Sequence, residues 1–307
     1  MHPNQEHTML NIHRALENDR LLRALTGLNR KAFDKLCQLF GVVYQETVES
    51  DPKPRQRARG GGRKARLQSI EAKLFFILFY FKCYPTFDVL GFLFELERGR
   101  ANRWVHRLQR ILERTLDKKM VLPARKLESI EQFLEKFPEV REVILDGTER
   151  PVQRPKDAEK QKEHYSGKKK RHTRKHITGS TRKKQVIVLT KAQPGKIHDK
   201  RQLDESKLVE NIPDEVRIEG DLGFQGLQKE FVNIHLPHKK PKGKELSEEQ
   251  KEENKEFSSQ RVVCEHAHAG IKRYNAVSSI YRNRVPDFDD HLMLTSAGLW
   301  NFYLETA

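Results

Sequence analysis

Arg141-Glu-Val-Ile-Leu-Asp-Gly-Thr-Glu-Arg150 is the stretch from which the fold is read. Val143, Ile144 and Leu145 are apolar and β-prone, and they run straight into Asp146 and Gly147. A short buried strand that stops on an aspartate presents its carboxylate at a site. Asp-Gly is also the commonest hairpin turn pair, and from this stretch alone the turn is the better reading. The rest of the chain shifts the balance.

The 307 residues carry 59 Lys+Arg against 43 Asp+Glu, a formal charge of +16. That excess points to a polyanionic partner and away from a small neutral substrate. With 33% of the residues charged, any single Lys or Arg still reads first as part of a solvated face. The length suffices for two ordinary domains. Cys37, Cys83 and Cys264 are odd in number, far apart and without Cys-x-x-Cys spacing, so neither a disulfide framework nor a zinc site is suggested. Residues 1–20 hold His, Asn, Glu and Arg with no apolar core of a signal peptide. The most apolar run, residues 74–81, falls far short of the ~20 residues needed to span a bilayer. A reducing, cytoplasmic setting without a membrane is expected.

Residues 8–47 show helix-like apolar spacing around a break at Thr26-Gly27. Residues 50–66 follow as a connector with two prolines, three consecutive glycines and many cations. Arg59, Arg63 and Lys64 in it are candidates to follow phosphates or enter a minor groove, with a solvated linker an equal alternative. Residues 67–84 read as a buried helix and Thr86 as the N-cap of the next, over 87–96. A further helix puts Ala101, Trp104, Val105, Leu108, Ile111 and Leu112 on one face. This pair suggests a helix-turn-helix with Gly91 at a close approach and Trp104 as anchor. Arg98, Asn102, Arg103 and His106 then face outward, types that reach phosphates and base edges. The turn position often held by glycine is Glu95, so another backbone solution is expected there.

Past Asp146, a basic run containing Lys168, Lys169, Lys170 and Arg171 leads into strands over 172–177 and 185–190, separated by a turn at 179–182. Residues 194–199 introduce a helix with Asp199 near its start. Val216-Arg-Ile-Glu-Gly-Asp-Leu-Gly-Phe224 repeats the opening theme and puts Asp221 at a second strand end. If the two strands are neighbours, their carboxylates share one edge. A long helix over 247–276 carries Arg261, Glu265 and Lys272 within about a quarter turn of one another. Taken alone, such a triplet reads as an ordinary ion-paired surface.

With these residues in view, the chain resembles the prokaryotic insertion-sequence transposases of the DDE superfamily. The resemblance spans nearly the whole length. Its carriers are Tyr84-Pro-Thr-Phe-Asp88 with Ala101-Asn-Arg-Trp-Val105, Asp146-Gly-Thr-Glu149 with Tyr165-Ser-Gly-Lys168, Pro194-Gly-Lys-Ile-His-Asp199, Gly220-Asp-Leu-Gly-Phe224, and the helix of Arg261, Glu265 and Lys272. Ser258 stands where the family's helix motif often begins with tyrosine, which removes a stacking or DNA contact there.

The resemblance implies a two-domain α+β chain: an all-helical N-terminal part followed by an RNase H-like catalytic domain with a mixed sheet flanked by helices. The expected segments are N-terminal helices over 1–49, a basic linker over 50–66, a helix-turn-helix region over 67–125 and the catalytic domain over 126–307. It assigns the catalytic, metal-binding carboxylates to Asp146, Asp221 and Glu265, separated by 75 (146 to 221) and 44 (221 to 265) residues. Two Mg²⁺ or Mn²⁺ ions per site are implied, with Arg261, Lys272, Lys168, Lys169, Lys170 and Arg171 on DNA phosphates nearby. His198, His266 and His268 are taken as packing or DNA-facing residues. The implied activity is cleavage and joining of double-stranded DNA at transposon ends and target, by a homodimer or larger assembly, in a prokaryotic cytoplasm at the nucleoid. The competing classes are a catalytically inactive DNA-binding protein of transposase descent and a metal-dependent nuclease that never joins strands.

Overall fold

The computed structural model describes residues 10–50 and 65–306. They fall into two compact units, the first holding the chain up to Val121 with 273–276 and the segment from Phe302 on, the second holding 122–272 and 277–301. Arg59, Arg63 and Lys64 lie outside the described residues.

In the first unit, α1 (Ile12–Glu17), α2 (Asp19–Thr26) and α3 (Arg30–Glu49) each begin on an asparagine. Asn11, Asn18 and Asn29 accept hydrogen bonds from the backbone N–H of Arg14, Leu21 and Ala32. Each such cap is worth about 1 kcal/mol, so these starts are written locally. Gly27, with φ of 82°, ends α2 at the break marked by the sequence. Next, α4 (Ile70–Cys83) is buried without interruption from Lys73 to Phe81, and the rings of Phe75, Phe76 and Phe79 surround Phe94 at 6.4, 4.9 and 5.6 Å.

The helix-turn-helix pair is α5 (Phe87–Leu93), capped by Thr86, and α6 (Arg98–Lys118). Leu96 N–H donates to the Gly91 carbonyl at 2.8 Å and Glu95 N–H to that of Phe92 at 3.3 Å, which closes α5 in a Schellman pattern. Glu95 itself takes the left-handed conformation, φ 53°, so the expected alternative backbone solution is not used. That conformation costs a non-glycine residue about 1–2 kcal/mol, and the two closing hydrogen bonds offset it. A Cβ at Gly91 would lie 2.4 Å from the Leu96 carbonyl oxygen, so the close approach is to the turn. The N-terminal helices and this pair, expected as separate segments, belong to one unit.

In the second unit, α7 (Ile130–Lys136) leads to β1 (Glu142–Pro151), then α8 (Ala158–His164), β2 (Tyr165–Ser166), β3 (Arg171–Ser180), β4 (Val186–Leu189) and β5 (Gln193–Pro194). After these come α9 (Asp199–Ser206), β6 (Arg217–Glu219), β7 (Ile234–His235), α10 (Glu248–Lys272), α11 (Asn275–Ser278) and α12 (Phe288–Thr306). The sheet runs β2-β3-β1-β6-β7, with β4 and β5 also paired to β3. β3 is antiparallel to β1, whereas β6 is parallel to β1 and β7 to β6. Val143 and Leu145 on one face of β1 join Ile177, Ile218 and Phe224, covered by Phe133 of α7 and Leu203 of α9. α10 packs on β1 and β3. The expected α+β organisation, helices first and a mixed sheet with helices after, is what the chain adopts. Among the described residues no helix is long and apolar enough to cross a membrane.

Two local expectations change. β1 runs ten residues, so Asp146 lies within the strand, opposite Thr178 of β3, and is neither strand end nor hairpin turn. What ends there is the neighbour: β6 pairs with β1 only as far as Glu219 against Ile144. Likewise, β3 continues through Gly179 to Ser180, which moves the hairpin turn beyond them. A Cβ at Gly179 would lie 2.4 Å from Val188 Cγ2, so this glycine serves strand packing.

Candidate active site

Asp146 and Asp221 each lie two residues past the last β1–β6 pair, Ile144 with Glu219. Both are half-buried. Asp221 starts a short 3₁₀ turn over Leu222–Phe224, and its Oδ1 accepts the Gly223 N–H at 2.7 Å. Burial holds the Asp146 carboxyl above the ordinary range; the Arg261 guanidinium opposes this, and the charge of Asp221 adds to it. Two carboxylates at the end of one strand pair thus leave negative charge that Arg261 does not fully neutralise.

A third carboxylate stands beside them. A Cβ at Gly223 would lie 2.7 Å from Asp221 Oδ1 and 2.8 Å from Asp199 Oδ2, so the two side chains flank that glycine. Gly147 faces Asp199 as well, 3.4 Å from where its Cβ would be. Lys175 of β3 holds Asp199 Oδ1 at 2.7 Å and donates to the Ile197 carbonyl at 2.7 Å. The sequence reading gave Asp199 only a place at a helix start, although its segment was among the carriers of the resemblance.

The face of α10 turned to Asp146 carries Arg261, Cys264 and His268. Arg261 Nη2 reaches Asp146 Oδ1 at 3.3 Å, and His268 Nδ1 lies 3.5 Å from Oδ2. Burial, with Lys272 and Arg261 nearby, pushes the His268 imidazole down to about 3, and burial pushes the Cys264 thiol up to about 12. Both residues are buried. His268 thus belongs to the site, whereas His198 and His266 are exposed.

Glu265 is exposed. At 100° per residue it lies about 40° from Arg261 and about 60° from His268, so it stands on the rim of the face they share. Among the described residues, the group of metal-capable side chains within 4.8 Å of one another is Asp146, Cys264 and His268. Of the three carboxylates implied by the resemblance, the structure therefore gathers Asp146 and Asp221 at the sheet end and leaves Glu265 at the edge. Ser258, three residues before Arg261, is exposed.

Lys272 is half-buried, held below the ordinary lysine range first by burial and then by Lys169, and Asp146 and Glu149 act on it in the opposite sense. Lys168, Lys169 and Lys170 are exposed in the turn from β2 to β3, and Arg171 opens β3. A cavity of about 220 Å³ lies beside them, lined by Gly147, Glu149, Gly167, Lys168, Lys175 and Asp199 among others. Lys168 therefore borders the same space as Glu149 and Asp199, and its charge also acts on Asp146. Hard oxygen donors with incompletely balanced charge fit Mg²⁺ or Mn²⁺.

In the first unit, Arg98 and Arg103 are exposed and Asn102 and His106 half-buried. Arg98 turns toward Asp88 at 3.8 Å. Asn102, Arg103 and His106 instead line a groove of about 470 Å³ with Arg107, Arg110 and Arg114. Sequence reasoning missed these last three, although arginines at 103, 107, 110 and 114 follow a helical repeat. Trp104 is only half-buried and stacks under Arg107, 5.6 Å from its ring centre.

Comparison with known proteins matches residues 65–118 to a helix-turn-helix of DDE superfamily endonucleases and residues 145–301 to the DDE superfamily endonuclease family. The chain is 30% identical over 285 residues to a probable transposase for insertion sequence element IS702 of Microchaete diplosiphon, covering 93% of this chain and 95% of that one. No solved structure matches.

Proposed function

From the premise that this chain belongs to the DDE-superfamily insertion-sequence transposases, we propose that it binds terminal inverted repeats and cuts and joins DNA at the β1–β6 edge. The observation that carries this reading is the placement of Asp146 and Asp221 just past the last β1–β6 pair, beside a basic turn. Asp146, Asp221 and Glu265 are the residues proposed to hold two Mg²⁺ or Mn²⁺ ions. Bound there, such ions would supply activation of water or a 3′-hydroxyl and stabilisation of the leaving oxygen.

The protein's own groups supply the rest. Arg261 balances part of the Asp146 charge before any cation arrives. Lys272, Lys168, Lys169, Lys170 and Arg171 hold phosphates along the path of the strand, where a nucleic-acid backbone releases its counterions. Three carboxylates repel one another, so Glu265 joins from its exposed position only when cation and DNA are bound. Attack proceeds in line, with no covalent protein intermediate. The α6 groove receives the terminal repeat, with Asn102, Arg103 and His106 toward the bases and the remaining arginines toward phosphates. Two ends are brought together by a dimer or larger assembly, in the cytoplasm of a prokaryote.

The test is cleavage of an end-containing duplex with Mg²⁺ by the full chain and by Asp146→Ala, Asp221→Ala and Glu265→Ala. Each variant is expected to lose cleavage and keep end binding. Full cleavage by Glu265→Ala removes that residue from the set. The exposed Glu265 favours a second reading, a DNA-binding relative without nuclease activity, which a wild-type chain that binds ends and never nicks them would establish. Joining of a pre-cut 3′-hydroxyl end separates a transposase from a simple nuclease.

A further inference from the structure

Besides the Arg261 guanidinium, α10 brings to Asp146 a thiol and an imidazole, donors poorly suited to Mg²⁺. Asp146, Cys264 and His268 offer one oxygen, one sulfur and one nitrogen within 4.8 Å of one another. His268 Nε2 meets Thr178 Oγ1 at 2.7 Å, and that hydroxyl donates to the Asp146 carbonyl at 3.2 Å. The single hydroxyl proton is thereby used, so Nε2–H is the donor to Thr178 and Nδ1 keeps its lone pair. That lone pair faces Asp146 Oδ2 across 3.5 Å, while Arg261 occupies Oδ1. Two acceptors with a sulfur beside them lie close enough to share one cation.

We propose that Asp146, Cys264 and His268 bind one borderline-soft divalent ion of the Zn²⁺ class, at a site separate from the Mg²⁺ donors except for the shared Asp146. Three protein donors of N, O and S type match the ligand chemistry of zinc, which completes a tetrahedron with one further ligand. Thr178 supplies the outer hydrogen bond that fixes tautomer and ring orientation in such sites. On binding, the Cys264 S–H bond breaks, the metal–sulfur bond forms and the proton leaves to solvent, since a coordinated thiol is deprotonated outright. The ion also draws Asp146 away from the carboxylate set, so it inhibits cleavage. That consequence rests on the function proposed above, whereas the binding itself does not.

Co²⁺ titrated into the purified full chain, without DNA or Mg²⁺, reads the site through its thiolate-to-cobalt charge-transfer absorption. One equivalent is expected to develop the band, with Zn²⁺ displacing Co²⁺. Cys264→Ser abolishes the band, whereas Cys37→Ser and Cys83→Ser keep it. Thr178→Val is expected to weaken Co²⁺ binding by about 10–100-fold. Should Cys264→Ser fail to fold, zinc X-ray absorption of the wild-type chain gives the same answer, expected as one sulfur at about 2.3 Å. A zinc shell without sulfur, or a band unaffected in folded Cys264→Ser, overturns the proposal. Cleavage with Mg²⁺ alongside failed Co²⁺ binding overturns this inference alone. Intact Co²⁺ binding in a chain that never cleaves overturns the earlier reading instead.

Discussion

Gly223→Ala pushes one methyl group between two carboxylates. Its Cβ would sit 2.7 Å from Asp221 Oδ1 and 2.8 Å from Asp199 Oδ2, where ordinary contact begins at 3.4 Å, so the two groups must retreat by about 0.7 and 0.6 Å. Asp221 cannot withdraw freely, because its Oδ1 also accepts the Gly223 N–H at 2.7 Å. Asp199 is tied in turn to Lys175. The glycine does not have positive φ, so alanine suits the backbone and the strain falls on the side chains. Overpacking of this kind costs about 1–3 kcal/mol. A displacement approaching 1 Å in groups that position a reacting centre costs about 10²-fold in rate. That corresponds to about 2.7 kcal/mol of transition-state stabilisation. The assay is single-turnover cleavage of an end-containing duplex with Mg²⁺, alongside thermal melting and end binding. The expected result is a rate lowered about 10²-fold, a melting shift of a few degrees, and unchanged end binding. A variant that melts like wild type and cleaves within about twofold of it would refute the argument that Asp221 and Asp199 are held in working positions around this glycine.

Gly91→Ala forces a Cβ against the Leu96 carbonyl at 2.4 Å; the first unit should lose about 1–3 kcal/mol in urea unfolding and end binding should weaken with it. Asp146→Asn should stabilise the chain, because burial raises this carboxyl above its unfolded value. The native state binds the extra proton between those two values, so stability falls as pH rises through that window and stays reduced above it. The gain in melting temperature should therefore be present at neutral pH and vanish below about pH 4, while added Mg²⁺ stabilises the wild type and not the variant. Arg182→Ala should cost about 2–3 kcal/mol by leaving the fully buried Glu219 short of a partner, less than a wholly buried pair because Arg182 is 36% exposed and Arg217 remains at 3.0 Å. Glu219→Gln should restore much of that loss in chemical denaturation. Arg107→Ala or Arg110→Ala should lower the salt dependence of end binding by about one counterion each with sequence preference unchanged, and an unaltered slope would remove that arginine from the phosphate contacts.

The sequence alone determined the break at Gly27, the Thr86 cap of α5 and the buried run of α4, because caps, left-handed glycines and apolar runs act over a few residues. It also marked Asp146 and Asp221 as carboxylates that share one edge if their strands are neighbours, and β1 and β6 are neighbours. The length of β1 was not legible. Its continuation through Arg150 rests on pairing with β3, a partner more than twenty residues away whose ladder overrides the local Asp-Gly turn signal. Which face of α10 meets the sheet was legible only in part. Arg261, Glu265 and Lys272 share a side, yet Cys264, Ala267, His268 and Ile271 are among the buried positions, and their packing places Cys264 and His268 toward Asp146 and Glu265 outward. Asp199 was legible only as a helix start, because periodicity carries no information about which distant residue, here Gly223, a first-turn side chain meets. Local chemistry thus determined several elements and marked two aspartates beside apolar strands. Which groups surround them was decided only in the tertiary structure, where helix rotation and strand register follow from burial of apolar residues distant in the chain.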